Sequence, residues 1–433
     1  MKVQSVTWSP DKRSACVERF LDRPPYDRRL EGLARRVLSE IRRRGEDAVL
    51  KYVKKFDGAD LSASTLRVSR AEIARATRQV DPGFRRAARE TRKRVFSFAR
   101  KGMRGDWQTP TPGGGSVGEQ FTPLDRVGMY IPGGTAPLVS TALMTIPLAR
   151  AAGVQEIVAC TPPAPDGTIN PYLLYALDLA GADEIYRAGG IPAIGLMAYG
   201  AGRIRPVQKI AGPGGAYVTV AKKCVYGDVA LDLVAGPSEV AILAGSSANA
   251  AHVAADLLAQ AEHGTGREKA LLVTSSARLA RRVEREIERQ LEALSRRAMI
   301  QRVLEKGLLV VTVKNLTHGM QLCNRFAPEH LELLVPNAKR WARKVRRAGA
   351  IFCGAWTPEV AGDFVAGPSH VLPTGGAAAM FSGLTVDDFR KRSSVIAFTR
   401  SDLKQTLPVI EAFGRVEGLD AHARSATIRF EAS

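Results

Sequence analysis

Two hydrophobic patterns follow one another along the chain. Up to about residue 105 the pattern is helical and highly charged. Segments 28–52 and 69–101 carry apolar residues at helical spacing, and Asp81, Pro82 and Gly83 interrupt the second segment. Residues 109–116, rich in Pro and Gly, predict a linker or a tight loop. The first quarter of the chain is therefore predicted to be a helical region.

From residue 126 short apolar runs alternate with helical patterns. The runs predict strands at 126–131, 156–160, 184–188, 240–243, 270–274 and 307–313, and the patterns predict helices at 140–152, 172–180, 248–263 and 277–297. This alternation is typical of parallel α/β sheets, and a division near 232–238 indicates two of them. The GxGxxG fingerprint is absent, because Tyr217 stands where segment 211–217 would need its third glycine. We therefore expect an α/β fold with two Rossmann-like sheet domains that lack this loop.

The net charge of +20 would attract anions, including nucleic acid. The charge is dispersed, however. In 277–297 arginines and glutamates interleave on a helix whose apolar stripe recurs every four residues. The sequence shows no nucleic-acid-binding module and no aromatic residues among the basic runs. A protein without catalytic activity that binds nucleic acid through its basic surface is therefore only a distant alternative.

The compartment is predicted to be the cytoplasm. The first residues contain no apolar core of a secretory signal, and no stretch approaches about 18 apolar residues. The five cysteines lie far apart without a CxxC pair, which fits reduced thiols: Cys16, Cys160, Cys224, Cys323 and Cys353.

Gln260 and His263 lie near the end of a predicted helix. Three residues apart, they share a helix face and could supply two ligands to a metal such as zinc. The same pattern also fits a histidine that interacts with the helix dipole before a glycine C-cap at Gly264.

Glu329 and His330 follow Pro328, which turns the chain. Adjacent Glu and His side chains can divide two acid–base tasks, although a polar helix-to-strand connection would look alike. Segment 362–376 brackets Asp363 and His370 between Gly/Pro turns. Such a loop suits a metal carboxylate and a substrate contact, or equally a satisfied aspartate and a structural histidine.

Six segments, in this order, resemble histidinol dehydrogenases over nearly the whole chain. They read GMYIPGGTAPLVSTALM (128–144), AGPSEV (235–240), LLAQAEHG (257–264), NRFAPEHLEL (324–333), GDFVAGPSHVLPTGG (362–376) and EGLDAH (417–422). The resemblance implies zinc-dependent oxidation of L-histidinol to L-histidine, through the aldehyde, with reduction of two NAD⁺. It would be one of the last steps of histidine biosynthesis.

The resemblance also implies a role for individual residues. Glu329 and His330 match the catalytic pair. The zinc ligands match Gln260, His263, Asp363 and His422. The family's substrate contacts correspond to Ser238, His370 and Glu417. They also include four residues already named, which are Gln260, His263, Asp363 and His330. Ser140 lies in a matching segment near that site. Tyr130 matches a cofactor contact.

The resemblance further implies a homodimer whose C-terminal tail reaches the partner's active site. The expected organisation is an N-terminal arm (1–25), a first α/β domain (26–128 with 238–381), a second α/β domain (129–237) and the tail (382–433).

Two cofactor positions depart from the family pattern. Pro192 replaces a usual glutamine and Gly215 a usual asparagine, so two side-chain partners of the dinucleotide are lost. The choice between NAD and NADP as the cofactor therefore stays open. The substrate could also be another small alcohol, such as a dihydroxypropane sulfonate. Glu417 favours histidinol, because a carboxylate attracts a cationic amino alcohol and repels a sulfonate.

Overall fold

The structure is a computed structural model that describes residues 3–23, 28–133, 137–234 and 236–431. Motif residues 134–136 and 235, and parts of the predicted arm and tail, lie outside this range. Contacts group the chain into two units. Unit 1 comprises Met1–Gly102 and Asp125–Phe389, and unit 2 comprises Met103–Leu124 and Arg390–Ser433. The four-part organisation expected from the family resemblance stays a prediction.

The described residues form the following elements. The strands are β1 Gln4–Trp8, β2 Trp107–Pro110, β3 Ser116–Pro123, β4 Arg126–Tyr130, β5 Glu156–Thr161, β6 Glu184–Arg187, β7 Lys209–Ala211, β8 Ala230–Leu231, β9 Glu239–Ala244, β10 Lys269–Thr274, β11 Leu308–Val313, β12 His330–Leu334, β13 Ala350–Cys353 and β14 Arg390–Ala397. The helices are α1 Ala15–Leu21, α2 Arg28–Arg44, α3 Glu46–Phe56, α4 Ala63–Leu66, α5 Arg70–Gln79, α6 Pro82–Gly102, α7 Val139–Ala152, α8 Pro171–Ala180, α9 Gly190–Tyr199, α10 Ala216–Val225, α11 Ala250–Ala261, α12 Ala277–Leu291, α13 Arg297–Gly307, α14 Leu316–Phe326, α15 Ala338–Ala342, α16 Glu359–Phe364, α17 Arg400–Glu417 and α18 Asp420–Thr427.

The N-terminal region is helical, with one exception. Strand β1 pairs in parallel with β11, so the first residues belong to a sheet and the helical prediction was wrong there. Gly45, at φ +57°, separates α2 from α3, where the sequence predicted one continuous pattern. The predicted break at residues 81–83 is the start of α6, where Pro82 occupies the first helical position.

A six-stranded parallel sheet carries the order β1-β11-β10-β9-β12-β13. Strands β9 to β13 thus form a doubly wound sheet whose order reverses between β9 and β12. Apolar side chains of α11, α12 and α13 cover one face, and those of α1, α14 and α15 cover the other. Burial on both faces explains why the strands are continuous apolar runs.

A five-stranded parallel sheet carries the order β6-β5-β4-β7-β8, which reverses between β4 and β7. Helices α2, α3, α9 and α10 form one core with it. Together with the six-stranded sheet, it confirms the predicted fold class of two Rossmann-like parallel sheets.

Unit 2 contains an antiparallel sheet of order β14-β3-β2 and the helices α17 and α18. Residues 111–115 form the tight turn between β2 and β3. Asp402 holds this turn by accepting hydrogen bonds from Gly113 N at 2.7 Å and Gly115 N at 2.9 Å. Among the described helices, none is long and apolar enough to cross a membrane.

Candidate functional site

Glu329 and His330 lie at the amino end of β12, beside the amino end of β9. Strand pairing sets His330 opposite Val240. The Glu329 Oε2 atom accepts a hydrogen bond from Glu239 N at 3.0 Å. Ligands of doubly wound sheets usually bind at the carboxyl ends of the strands. Here Glu329 and His330 occupy the opposite edge, at the point where the strand order reverses.

The surroundings of His330 define which ring nitrogen is free. Its Nδ1 atom lies 3.2 Å from the Glu239 carbonyl oxygen, which can only accept a hydrogen bond. The neutral ring therefore carries its proton on Nδ1, and Nε2 keeps a free lone pair. Burial lowers the pKa of His330 to about 4. A buried imidazole that stays neutral with Nε2 free is suited to act as a base.

The carboxyl group of Glu329 is buried beside the same backbone. Burial raises its pKa well above the ordinary value, and the nearby carboxylates of Glu239 and Asp363 raise it further. Hydrogen bonds from Glu239 N and the Ser238 side chain act in the opposite direction. Carboxyl groups with raised pKa values exchange protons near neutral pH, which is a property of general acid–base residues.

Three side chains converge into a group that could hold a metal ion. His263, Glu359 and Asp363 each offer one ligand atom, and these atoms lie within 4.8 Å of one another. Helix α11 ends at Ala261, so His263 lies in the turn after the helix and not on its last turn. Asp363 comes one turn after Glu359 on α16.

Glu359 is a site residue that we did not predict from the sequence. It is almost fully buried, and its Oε1 atom lies 3.4 Å from His330 Nδ1. One signal was available: Pro358 favours a helix start, and a glutamate four residues before Asp363 shares its helix face.

Gln260, three residues before His263, supplies an independent observation that bears on metal binding. The residue is fully buried, yet neither its side-chain oxygen nor its nitrogen has a hydrogen-bond partner among the described residues. A buried amide without partners costs about 1–3 kcal/mol, so a missing partner is expected. Nitrogen and oxygen donors of this kind fit Zn²⁺.

His370 and Asp363 interact across the loop that the sequence singled out. The Asp363 backbone hydrogen-bonds the imidazole of His370, whose Nε2 atom is buried without a partner among the described residues. Burial lowers the pKa of His370, so this ring is neutral as well. Ser140 is half-buried at the start of α7, a helix that contacts α16.

The second predicted cluster lies at the carboxyl edge of the five-stranded sheet. Tyr130 ends β4, and its hydroxyl oxygen accepts a hydrogen bond from Gly190 N at 3.2 Å. Burial raises the pKa of Tyr130 to about 12. Pro192 is buried in the first turn of α9, and Gly215 precedes α10. These residues surround the reversal between β4 and β7, where nucleotides bind in doubly wound sheets.

A cavity of about 680 Å³ adjoins the catalytic edge. Thr219 of α10 lines it together with Gly236, Glu239 and Lys269 at the amino ends of β9 and β10. Glu239, which lines this cavity, also contacts Glu329 and His330 through its backbone.

Glu417 and His422 belong to unit 2. Glu417 ends α17 and His422 lies in the first turn of α18, and both side chains are exposed. Among the site residues that unit 1 carries, the structure brings together Glu329, His330, Ser238, His263, Asp363 and His370.

Comparison with known proteins decides the family. The histidinol dehydrogenase family model matches residues 25–430. The chain belongs to the histidinol dehydrogenase family. Histidinol dehydrogenase from Heliobacterium mobile is 47% identical over 395 residues, 91% of this chain and 92% of the relative. The enzyme of that name from Moorella thermoacetica is 47% identical over 404 residues, 93% of this chain and 95% of its own.

A solved structure agrees with these relatives. The crystal structure of histidinol dehydrogenase from Elizabethkingia anophelis matches with a TM-score of 0.94 and 34% identity, covering 99% of this chain and 98% of that one. Family membership confirms the predicted dehydrogenase class and does not favour the sulfonate or nucleic-acid alternatives.

Proposed function

We propose that the chain oxidises L-histidinol to L-histidine with two equivalents of NAD⁺, using one zinc ion per subunit. Family membership supports the substrate and the cofactor. The observation that carries the proposal is the convergence of the neutral His330, the buried Glu329 and the donor group of His263 and Asp363.

Gln260, His263, Asp363 and His422 would hold the zinc. When bound, the metal orients the substrate's amine and imidazole nitrogens and supplies electrostatic stabilisation. The unpartnered amide of Gln260 and the clustered atoms of His263 and Asp363 fit this ligand chemistry. Ser238, His370, Glu417 and Ser140 would contact the substrate.

The two oxidations assign different tasks to the catalytic pair. In the first step His330 Nε2 takes the alcohol proton while a hydride leaves the carbon for NAD⁺, which gives the aldehyde. In the second step Glu329 takes a proton from water as the water attacks the aldehyde. The hydrate anion then loses a second hydride to NAD⁺, and the carboxylic acid that forms releases its remaining proton to solvent and leaves as the carboxylate.

Tyr130, Pro192 and Gly215 would line the cofactor site. Glycine and proline offer no side-chain hydrogen bond, so backbone groups and Tyr130 must supply more of the contacts. We expect a homodimer in the cytoplasm. The described part of unit 2 exposes several apolar side chains that suit an interface: Val395, Ile396, Phe398, Val409, Phe413 and Val416.

The deciding experiment measures NADH formed by zinc-loaded protein from a limiting amount of L-histidinol. We expect two NADH per histidinol from the parent, at most one from Glu329→Gln, and none from His330→Asn within the same time. Turnover with a dihydroxypropane sulfonate, but not with histidinol, would overturn the proposal.

A further inference from the structure

Beneath the proposed zinc site lies a pair of buried acids that the mechanism does not use. Glu332 is fully buried on β12 and Asp256 is half-buried on α11, and the two carboxyl groups lie close enough for each to shift the pKa of the other. Two carboxyl groups in this contact need one shared proton, because ionised carboxylates only accept. Burial raises the pKa of Glu332 well above its ordinary value, which places that proton on Glu332.

The other oxygen of Glu332 reaches a third element. Its Oε1 atom accepts a hydrogen bond from Glu359 N at 2.8 Å, at the first residue of α16. Pro358, which precedes α16, forms no side-chain cap on this helix. Glu332 on β12 therefore accepts a hydrogen bond from the Glu359 N–H group, which the helix itself leaves without a partner. The orientation of Glu359 and Asp363 therefore depends on Glu332.

The three elements joined by Glu332 carry the proposed site. On β12, Glu332 lies two residues after His330 and points to the same face. On α11, Asp256 lies one turn before Gln260, on the same helix face. On α16, the hydrogen-bonded amide belongs to the turn that ends at Asp363.

We infer that the Glu332–Asp256 acid pair is a positioning device that fixes β12, α11 and α16 relative to one another and thereby sets the geometry of the zinc site. This inference rests on the proposed function for its metal and substrate. Neither acid contacts substrate in this scheme. Both act through the ligands that their elements carry.

The test compares two replacements of Glu332. Glutamine reproduces the protonated acid, because its oxygen accepts from Glu359 N and its amide donates to Asp256. Methionine keeps a similar volume but removes both hydrogen bonds, so Glu359 N and Asp256 lose their partner and stability should fall by about 1–3 kcal/mol. The melting temperature of each metal-free variant shows whether it folds.

Zinc affinity, measured by competition with a chromophoric chelator, is the main readout. We expect Glu332→Met to bind Zn²⁺ about 10–100-fold more weakly and to lose kcat/KM for L-histidinol by a similar factor, as for other groups that orient metal ligands. Glu332→Gln should stay within about threefold of the parent, because both hydrogen bonds remain. Equal zinc affinity in a folded Glu332→Met, or equal losses in both variants, would overturn the inference.

Two further controls keep the result interpretable. If Glu332→Met does not fold, Asp256→Ala removes the proton acceptor at a half-buried position, and an unchanged zinc affinity there would refute the inference. If the parent binds zinc but does not oxidise histidinol, the proposed function fails, while the zinc titration still decides the role of the acid pair.

Discussion

His330 illustrates how a single backbone contact selects the chemistry of a side chain. The carbonyl of Glu239 fixes the proton on Nδ1, and burial keeps the ring neutral. A lone histidine in the sequence carries neither property. Both arise because β9 and β12 are neighbours although about 90 residues separate them.

The lowered pKa of His330 predicts a stability effect in acid. Between pH 6.5 and about 4 the unfolded chain binds a proton at this residue and the folded chain does not, so stability falls as the pH is lowered. His330→Asn removes this dependence. We expect the metal-free variant to gain about 2 kcal/mol relative to the parent between pH 7 and pH 5. Urea unfolding at both pH values measures it, and parallel losses in the two proteins would refute it.

Glu329 predicts a change of the opposite sign. Its raised pKa means that the folded chain holds a proton more tightly than the unfolded chain, so stability falls as the pH rises above 4.5. Glu329→Gln keeps an acceptor for Glu239 N and removes the titration. We expect the stability of the variant to fall less than that of the parent between pH 5 and pH 8, while kcat for L-histidine formation falls about 10²–10⁴-fold.

Denaturant unfolding at pH 5 and pH 8 checks the stability of Glu329→Gln, and NADH formation checks its kcat. A variant that shows the parent's pH dependence of stability would contradict the raised pKa of Glu329.

Among the elements, strand and helix positions followed from the sequence where the pattern was strong. The predicted runs at 126–131 and 270–274 are β4 and β10 within one residue at each end. Short elements were missed, including β7, whose three residues are too few for a period to appear. Strand β1 was missed because it becomes a strand only by pairing with β11, a tertiary contact.

The same limit applies to the site. The sequence motifs, through the family resemblance, identified the candidate site residues but not how they are arranged in space. Glu359 shares a helix face with Asp363, but it was missed because the local pattern does not show that this face of α16 lies toward His330. Glu332 looked like an ordinary polar residue of a connecting segment, and only the sheet order places it against α11.

The start of α10 supports a prediction about cofactor binding. A Cβ added at Gly215 would meet nothing within 4 Å, and its φ of −66° suits any residue. Gly215→Asn is therefore expected to fold, and it introduces the asparagine that the family resemblance predicts there. We expect the KM for NAD⁺ to fall about five- to tenfold, the equivalent of one added hydrogen bond. Steady-state kinetics with varied NAD⁺ measures it.

Two glycine variants complete that experiment. Gly215→Ala should leave the KM for NAD⁺ unchanged, because it adds no hydrogen-bonding group.

Gly212→Ala should lose about 2 kcal/mol of stability or more, since its Cβ would overlap the Tyr130 carbonyl and its φ is +113°. An unchanged KM in a folded Gly215→Asn would argue that the dinucleotide does not reach α10.

At the scale of the whole molecule, the open question is which subunit supplies Glu417 and His422. The family resemblance predicts that each tail completes the partner's site. Unit 2 contains both residues, Glu417 on α17 and His422 on α18. The same unit has exposed apolar side chains, including Ile396 and Val416. Apolar side chains grouped in this way are typical of an interface.

Mixed dimers distinguish a tail that acts across subunits from one that acts within its own. Glu329→Gln and His422→Asn should each fail to form L-histidine alone, so histidine formation is the activity measured. If the tail crosses, a dimer with one of each has one fully native site, namely Glu329 of the second chain with His422 of the first. The purified mixed dimer should then have about half of the parent's activity per subunit. If the tail stays within its own chain, every site keeps one defect and co-expression restores nothing. Activity of the co-purified, differently tagged pair, compared with each variant alone, therefore decides where the proposed active site is assembled.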